Sequence, residues 1–271
     1  MFEKMNKRRT AALLVLIFIA GAVFALAERL WPEANGDKVI RDLPLTVDYS
    51  NADDGYIMIK CTASEKRYKL RVRYGDNTLT YDYNGKGDYE VFPLQFGSGT
   101  YTVVLYKQVS GNKYSEEGMA VFQASMKDPE AAFLYPNQYV NYDETTPAVL
   151  EADTLCAGMS DEKAIYDAVC NYVSRNYVYD FVKAVTAKSG EMPDIDGTFT
   201  KKRGICQDLA ALTVAMLRSQ GVHARIMIGY ADKNYHAWVI AVIDGKEYMY
   251  DPTAAVGGVV NVKNYSVERY Y

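Results

Sequence analysis

Residues 203–208 read Arg203-Gly204-Ile205-Cys206-Gln207-Asp208, followed by Tyr235-His236-Ala237-Trp238 and then Tyr250-Asp251-Pro252-Thr253. The chain has only four cysteines and two histidines, so this ordered thiol, imidazole and carboxylate stand out. A thiol nucleophile needs a base, and the base needs a group that orients it. Downstream of Cys206, apolar side chains at Leu209, Leu212, Met216 and Leu217 recur at i, i+3, i+7 and i+8. That spacing predicts a helix over 208–220, with Gly221 as its C-terminal cap and Gly204 allowing a sharp entry. Cys206 then falls at or beside the helix N-terminus, where unpaired N–H groups and the positive end of the dipole favour an anion.

Hairpin arithmetic places the other two residues. Segments 236–243 and 246–250 flank Asp244-Gly245, a strong two-residue turn signal. With Ile243 opposite Lys246, Trp238 comes opposite Asp251 and His236 opposite Thr253. Side chains alternate with period two, so His236, Trp238, Asp251 and Thr253 are expected on one face, with His236 and Asp251 as diagonal neighbours. Taken singly, each residue has a plainer reading. A lone cysteine is usually a small core residue, a strand histidine a satisfied structural one, and an aspartate before proline the start of a turn. In register together they point to Cys206 as nucleophile, His236 as base and acid, and Asp251 as orienter.

These elements resemble the transglutaminase-like superfamily. The matching pieces are Gly204-Ile205-Cys206-Gln207-Asp208, Met216-Leu217-Arg218-Ser219-Gln220-Gly221-Val222, Ala224-Arg225, Gly229-Tyr230, His236-Ala237-Trp238 and Asp251-Pro252-Thr253. The resemblance runs from Glu162 to Thr253. It implies an α+β fold with a papain-like core, in which a helix bearing the cysteine packs on an antiparallel sheet. It also implies a protein or peptide substrate and a Cys206 thioester resolved by an amine or by water. Related enzymes take an oxyanion donor from an upstream aromatic or glutamine, which points to Tyr179 in Tyr177-Val178-Tyr179-Asp180. Gln207 and Trp238 adjoin the nucleophile and the base and are further cleft candidates. The family includes cross-linkers, peptidases, amidases and inactive relatives. Acyl transfer, hydrolysis by a peptidase or amidase, and a non-catalytic surface binding protein of the same fold all stay open.

The N-terminus has a different logic. Lys4, Lys7, Arg8 and Arg9 precede an apolar run from Ala11 to Ala27 that ends in Ala25-Leu26-Ala27. A basic region, a hydrophobic segment and a small-residue cleavage site make residues 1–27 a signal peptide or an uncleaved signal anchor. Either keeps the basic end in the cytoplasm and exports the remainder. Without those residues, which hold four Lys/Arg and one Glu, the chain has 26 basic and 33 acidic residues. No basic patch is present, so nucleic acid is not an expected partner. Membrane contact is expected only through the N-terminal segment.

Residues 28–42 read as a linker. Over 43–126 short β-forming runs alternate with Gly- and Asn-rich turns, which predicts a small sandwich-like all-β domain with a spacer or docking role. Residues 127–147, with Pro129, Pro136 and Pro147, read as a second linker, and 148–271 as the transglutaminase-like domain. Within it, Ser160 is expected to cap a helix reaching Tyr177. Residues 181–200 show no periodicity and read as one wall of the cleft or a solvated connection. Cys156 and Cys170 could pair outside the cytoplasm or stay as buried thiols, and Cys61 reads as a buried strand residue. With two histidines and no Cys-x-x-Cys, no zinc site is expected. Asp194-Ile195-Asp196-Gly197 resembles part of a calcium loop but lacks its closing glutamate. The proposed chemistry calls for no cofactor.

Overall fold

The computed structural model describes residues 31–62, 67–83, 85–188, 190–258 and 262–271. The expected export segment lies outside them. Among the described residues, no helix is long and apolar enough to cross a membrane.

Eight strands come first: β1 (Val39–Asp42), β2 (Leu45–Asp48), β3 (Tyr56–Cys61), β4 (Tyr68–Tyr74), β5 (Asn77–Tyr83), β6 (Glu90–Pro93), β7 (Gly99–Ser110) and β8 (Lys113–Ala124). They form two antiparallel four-stranded sheets, ordered β1-β2-β3-β6 and β5-β4-β7-β8. Strand β4 shows why. Tyr68, Leu70 and Val72 are buried while Arg71 between them is exposed, so one face of the pleat is apolar and must be covered. The cover comes from Leu45, Val47, Ile57, Ile59 and Phe92 of the other sheet, in the same core. The all-β portion is thus a sandwich.

The α+β portion follows: α1 (Pro147–Leu155), α2 (Glu162–Asn176), β9 (Val178–Tyr179), α3 (Phe181–Thr186), α4 (Ile195–Lys201), β10 (Arg203–Gly204) and α5 (Cys206–Ser219). Then come β11 (His223–Ala231), β12 (Asn234–Ile243), β13 (Lys246–Tyr250), α6 (Pro252–Ala255) and β14 (Tyr265–Tyr270). The last four strands make an antiparallel sheet ordered β13-β12-β11-β14, and β9 pairs in parallel with β10. Helix α5 is central. Leu209 to Leu217 is fully buried around the whole circumference, including Ala210, Ala211, Val214 and Ala215. A helix apolar on all sides belongs in a core rather than on a surface. It packs between α1, α2 and α4 and the sheet residues Ala237, Val239 and Ala241.

Two local readings change, and one left open is decided. Asp161, not Ser160, caps α2, its carboxylate accepting from the Ala164 N–H at 2.6 Å. Residues 181–200 carry two short helices, each begun by an aspartate cap: Asp180 accepts from Lys183 N and Asp194 from Gly197 N. Helices this short present less than two turns of periodicity, so caps rather than pattern announce them. Cys156 and Cys170 are both buried thiols and form no disulfide.

Candidate active site

Gly204 and Ile205 lead into α5, which begins at Cys206. Gly204 is needed for closeness rather than for a turn, since a Cβ there would lie 2.8 Å from the Asp208 Cβ. Asp208, wholly buried in the first turn, reaches back to accept from the Ile205 N–H at 3.0 Å. It also accepts from the Asp194 N–H at 3.2 Å and pairs with the Lys183 ammonium at 2.8 Å. One carboxylate therefore fixes the start of the cysteine-bearing helix, α3 and the entry to α4. The capping logic is legible in the motif, but the distant Lys183 is not.

The β12–β13 hairpin has Ile243 opposite Lys246 and Val239 opposite Tyr250, the register the turn arithmetic gives. The ladder stops at Tyr250, because Pro252 has no N–H to donate and instead starts α6. Thr253 is consequently the second residue of a helix rather than a strand partner of His236. Asp251 becomes that helix's cap. Its Oδ1 accepts from the Thr253 and Ala254 N–H groups at 2.9 and 3.1 Å. This leaves Oδ2 for the site, where it meets His236 Nε2 at 2.9 Å and accepts from the Tyr265 hydroxyl at 2.7 Å.

His236 is 4% exposed, bonds Asp251 through its ring, and lies near enough to Cys206 for the thiol to act on its pKa. With Nε2 on Asp251, Nδ1 is the nitrogen left for sulfur. Burial alone would lower the histidine's pKa. Hydrogen bonds to and attraction by Asp251 and Cys206 outweigh it and lift the value to about 9. Asp251 shows the reciprocal effect: burial pushes its carboxyl up, but the imidazole and the Tyr265 hydroxyl hold it below the usual range. Tyr265 has no signal in the sequence. It comes from β14, and only the fold brings it to the carboxylate.

The remaining candidates divide. Tyr179, paired with Gly204 across β9 and β10, is close enough to Cys206 for the thiol's charge to help raise its phenol pKa, after burial as the larger cause. Its ring lies over Gly258, where a Cβ would come within 2.6 Å of it. Gln207 turns away and donates to the Glu191 carbonyl at 2.9 Å. Trp238 sits in a separate cluster with Met227 and Ile240, edge-on to Tyr265 at 5.0 Å and stacked beside His236 at 6.3 Å. It backs the imidazole rather than lining the thiol.

Residues 152–252 match the family model described as the transglutaminase-like superfamily, and the chain carries a transglutaminase-like domain there. No curated protein sequence matches the chain. Among solved structures, a provisionally named cysteine protease from Cytophaga hutchinsonii is 17% identical, covers 81% of this chain and 76% of its own, and has a TM-score of 0.40. The periplasmic domain of TgpA from Pseudomonas aeruginosa is 15% identical over 84% of this chain and 79% of its own, with a TM-score of 0.37. Red sea bream transglutaminase is 14% identical over 73% of this chain and 48% of its own, with a TM-score of 0.30.

Proposed function

We propose that the chain is an exported thiol enzyme that acts on amide or acyl bonds of proteins or peptides through a Cys206 thioester. The observation that carries this reading is the Asp251–His236 pair, closed at 2.9 Å, beside Cys206 at the α5 N-terminus. The His236 imidazolium, held by Asp251, pairs with the sulfur as thiolate. Sulfur attacks the carbonyl carbon, and the negative charge on oxygen is met by N–H groups of the first turn of α5 and by the Tyr179 hydroxyl. The C–N bond then breaks, His236 gives its proton to the departing amine, and a thioester remains. An incoming amine or water gives its proton to His236 as it attacks, and sulfur leaves again as thiolate. An amine yields transfer and water yields hydrolysis.

Export rests on the basic and apolar N-terminal pattern with its small-residue cleavage site. The β-sandwich is proposed as a spacer or docking module, with the boundaries read from the sequence. The decisive assay incubates the mature protein with glutamine donor peptides and a labelled primary amine, beside a peptide-hydrolysis assay. Cys206→Ala should abolish whichever product forms. Product formation that survives this substitution would remove the thioester from the mechanism. A wild type that is inert in both assays and whose Cys206 is not selectively alkylated by iodoacetamide would instead be a non-catalytic binding protein.

A further inference from the structure

We infer that the outer face of α3 is an apolar subsite for the side chains flanking the reacting amide, so that the acyl donor is a polypeptide with aliphatic or aromatic neighbours. This inference rests on Cys206 being the nucleophile. Val178, Phe181, Val182 and Val185 are 59, 65, 70 and 84% exposed, a concentration of open apolar surface on one strand end and a helix of six residues. Scattered exposed apolar residues need no explanation, but three on one short helix with a fourth on the strand before it do. The helix spends its polar contact inward, where Lys183 pairs with buried Asp208 in the first turn of α5. Its apolar side is therefore held in a fixed place relative to the sulfur.

The patch is also continuous with the site. The Phe181 ring packs edge-on against Tyr179 at 4.9 Å, and Tyr179 pairs across β9 and β10 with Gly204, two residues before Cys206. A chain whose carbonyl lies at the sulfur can thus run past Tyr179 onto Phe181, Val182 and Val185. Three valines and one phenylalanine are too little for a stable dimer, which needs about 800 Å² per partner. They suit a substrate whose grip on the enzyme is shared with the covalent centre.

Peptide aldehydes test this without knowing the physiological reaction. The sulfur thiolate adds to the aldehyde carbon, the carbonyl π bond opens, and the His236 imidazolium gives its proton to the oxygen, giving a reversible hemithioacetal that shields Cys206 from iodoacetamide. Two tripeptide aldehydes with the same C-terminal residue are compared, one preceded by Leu-Leu and one by Ser-Ser. Wild-type protein should be protected by the Leu-Leu compound at a concentration lower by about tenfold or more, as burial of one leucine side chain allows. In Val182→Ser/Val185→Ser the ratio measured within that one protein should fall below about threefold. Thermal unfolding and circular dichroism of the same sample verify that it is folded. Equal protection by both aldehydes in the wild type, or a ratio that survives the double substitution, would overturn the subsite while leaving the thiol reading intact. So would binding of wild-type protein, but not the variant, to phosphatidylcholine/phosphatidylglycerol vesicles with an unchanged aldehyde ratio, since the face would then serve a lipid surface. A Cys206 that iodoacetamide does not modify selectively would sink the thiol reading and this one with it.

Discussion

Asp251 divides its two oxygens between structure and site. Oδ1 caps α6 and Oδ2 holds His236 and Tyr265. An asparagine must keep its single carbonyl oxygen on the cap or on the histidine. If it stays on the cap, the amide N–H₂ confronts Nε2, and the ring proton moves to Nδ1, so the nitrogen that faces sulfur can no longer take a proton. Asp251→Asn should therefore lower turnover by about 10²–10³, less than the roughly 10⁴ of a serine triad because a preformed ion pair needs no base during attack. Cys206→Ala should leave no thioester route at all, and His236→Ala should fall close to it. Steady-state turnover of the three variants checks the order, and an Asp251→Asn enzyme equal to the wild type would end the orienter role. Tyr265→Phe removes one of the hydrogen bonds to Oδ2 and should cost about tenfold. The same pair gives a pH dependence of folding. The histidine value is raised from 6.5 to about 9, so its stabilising contribution is complete below pH 6.5 and is lost as pH rises through 9. Urea unfolding should show a decline of about 3 kcal/mol between pH 6.5 and 10 that Asp251→Asn flattens. Asp251, held low, contributes in the opposite sense, losing its share only as pH falls below the usual carboxylate range.

At the scale of elements, what was legible depended on length and chemistry. The fourteen-residue α5 carries enough apolar repeats to announce itself, and a glycine-bearing two-residue turn fixed the register of β12 and β13. α3 and α4 were hidden because six or seven residues give no period, while their aspartate caps were present in the sequence all along. The end of β13 departs from strand alternation for a different reason: Pro252 has no N–H and cannot extend the ladder. Tyr265 and Lys183 were illegible in principle, since each reaches the site from a distant segment through one side chain. The Asp208 contacts make a prediction at this scale. Asp208→Ala takes an acceptor from the Ile205 and Asp194 N–H groups and the counter-charge from Lys183. It should lower stability by about 3 kcal/mol, at the lower end for a broken buried pair because Lys183 retains Glu191 at 3.4 Å. Iodoacetamide modification of Cys206 should slow as well, because the turn that presents the sulfur has lost its brace. Unchanged alkylation with lowered stability would make Asp208 a purely structural residue.

Across the whole molecule, the sandwich, the joining segment and the α+β portion meet in aromatic and charged contacts. Tyr139 stacks on Tyr271 at 3.8 Å, Tyr81 lies edge-on to Tyr271, and Arg225 pairs with Glu130. The deepest of these ties is Arg218, at the end of α5, which is 3% exposed. Its guanidinium donates to the carbonyls of Ala224 at 2.8 Å, Tyr135 at 2.6 Å and Tyr271 at 2.9 Å. One planar fork thus binds the sheet, the segment joining the two portions, and the chain after β14. Arg218→Leu would relieve the desolvation of a buried cation but leave carbonyls without their donor, at about 1–3 kcal/mol for each group left unsatisfied. The net loss should be about 2–4 kcal/mol, since Tyr271 keeps the Ile226 N–H as a second partner. Arg218→Lys should be intermediate, because an ammonium lacks the fork that spans three acceptors. The two tryptophans make the consequence separable: Trp31 packs against Tyr142 and Trp238 lies in the sheet of the active-site portion. Urea unfolding followed in Trp31→Phe and Trp238→Phe backgrounds should give one shared transition in the parent and two separated ones after Arg218→Leu. A single transition at an unchanged midpoint would show that the aromatic contacts hold the two portions together without Arg218.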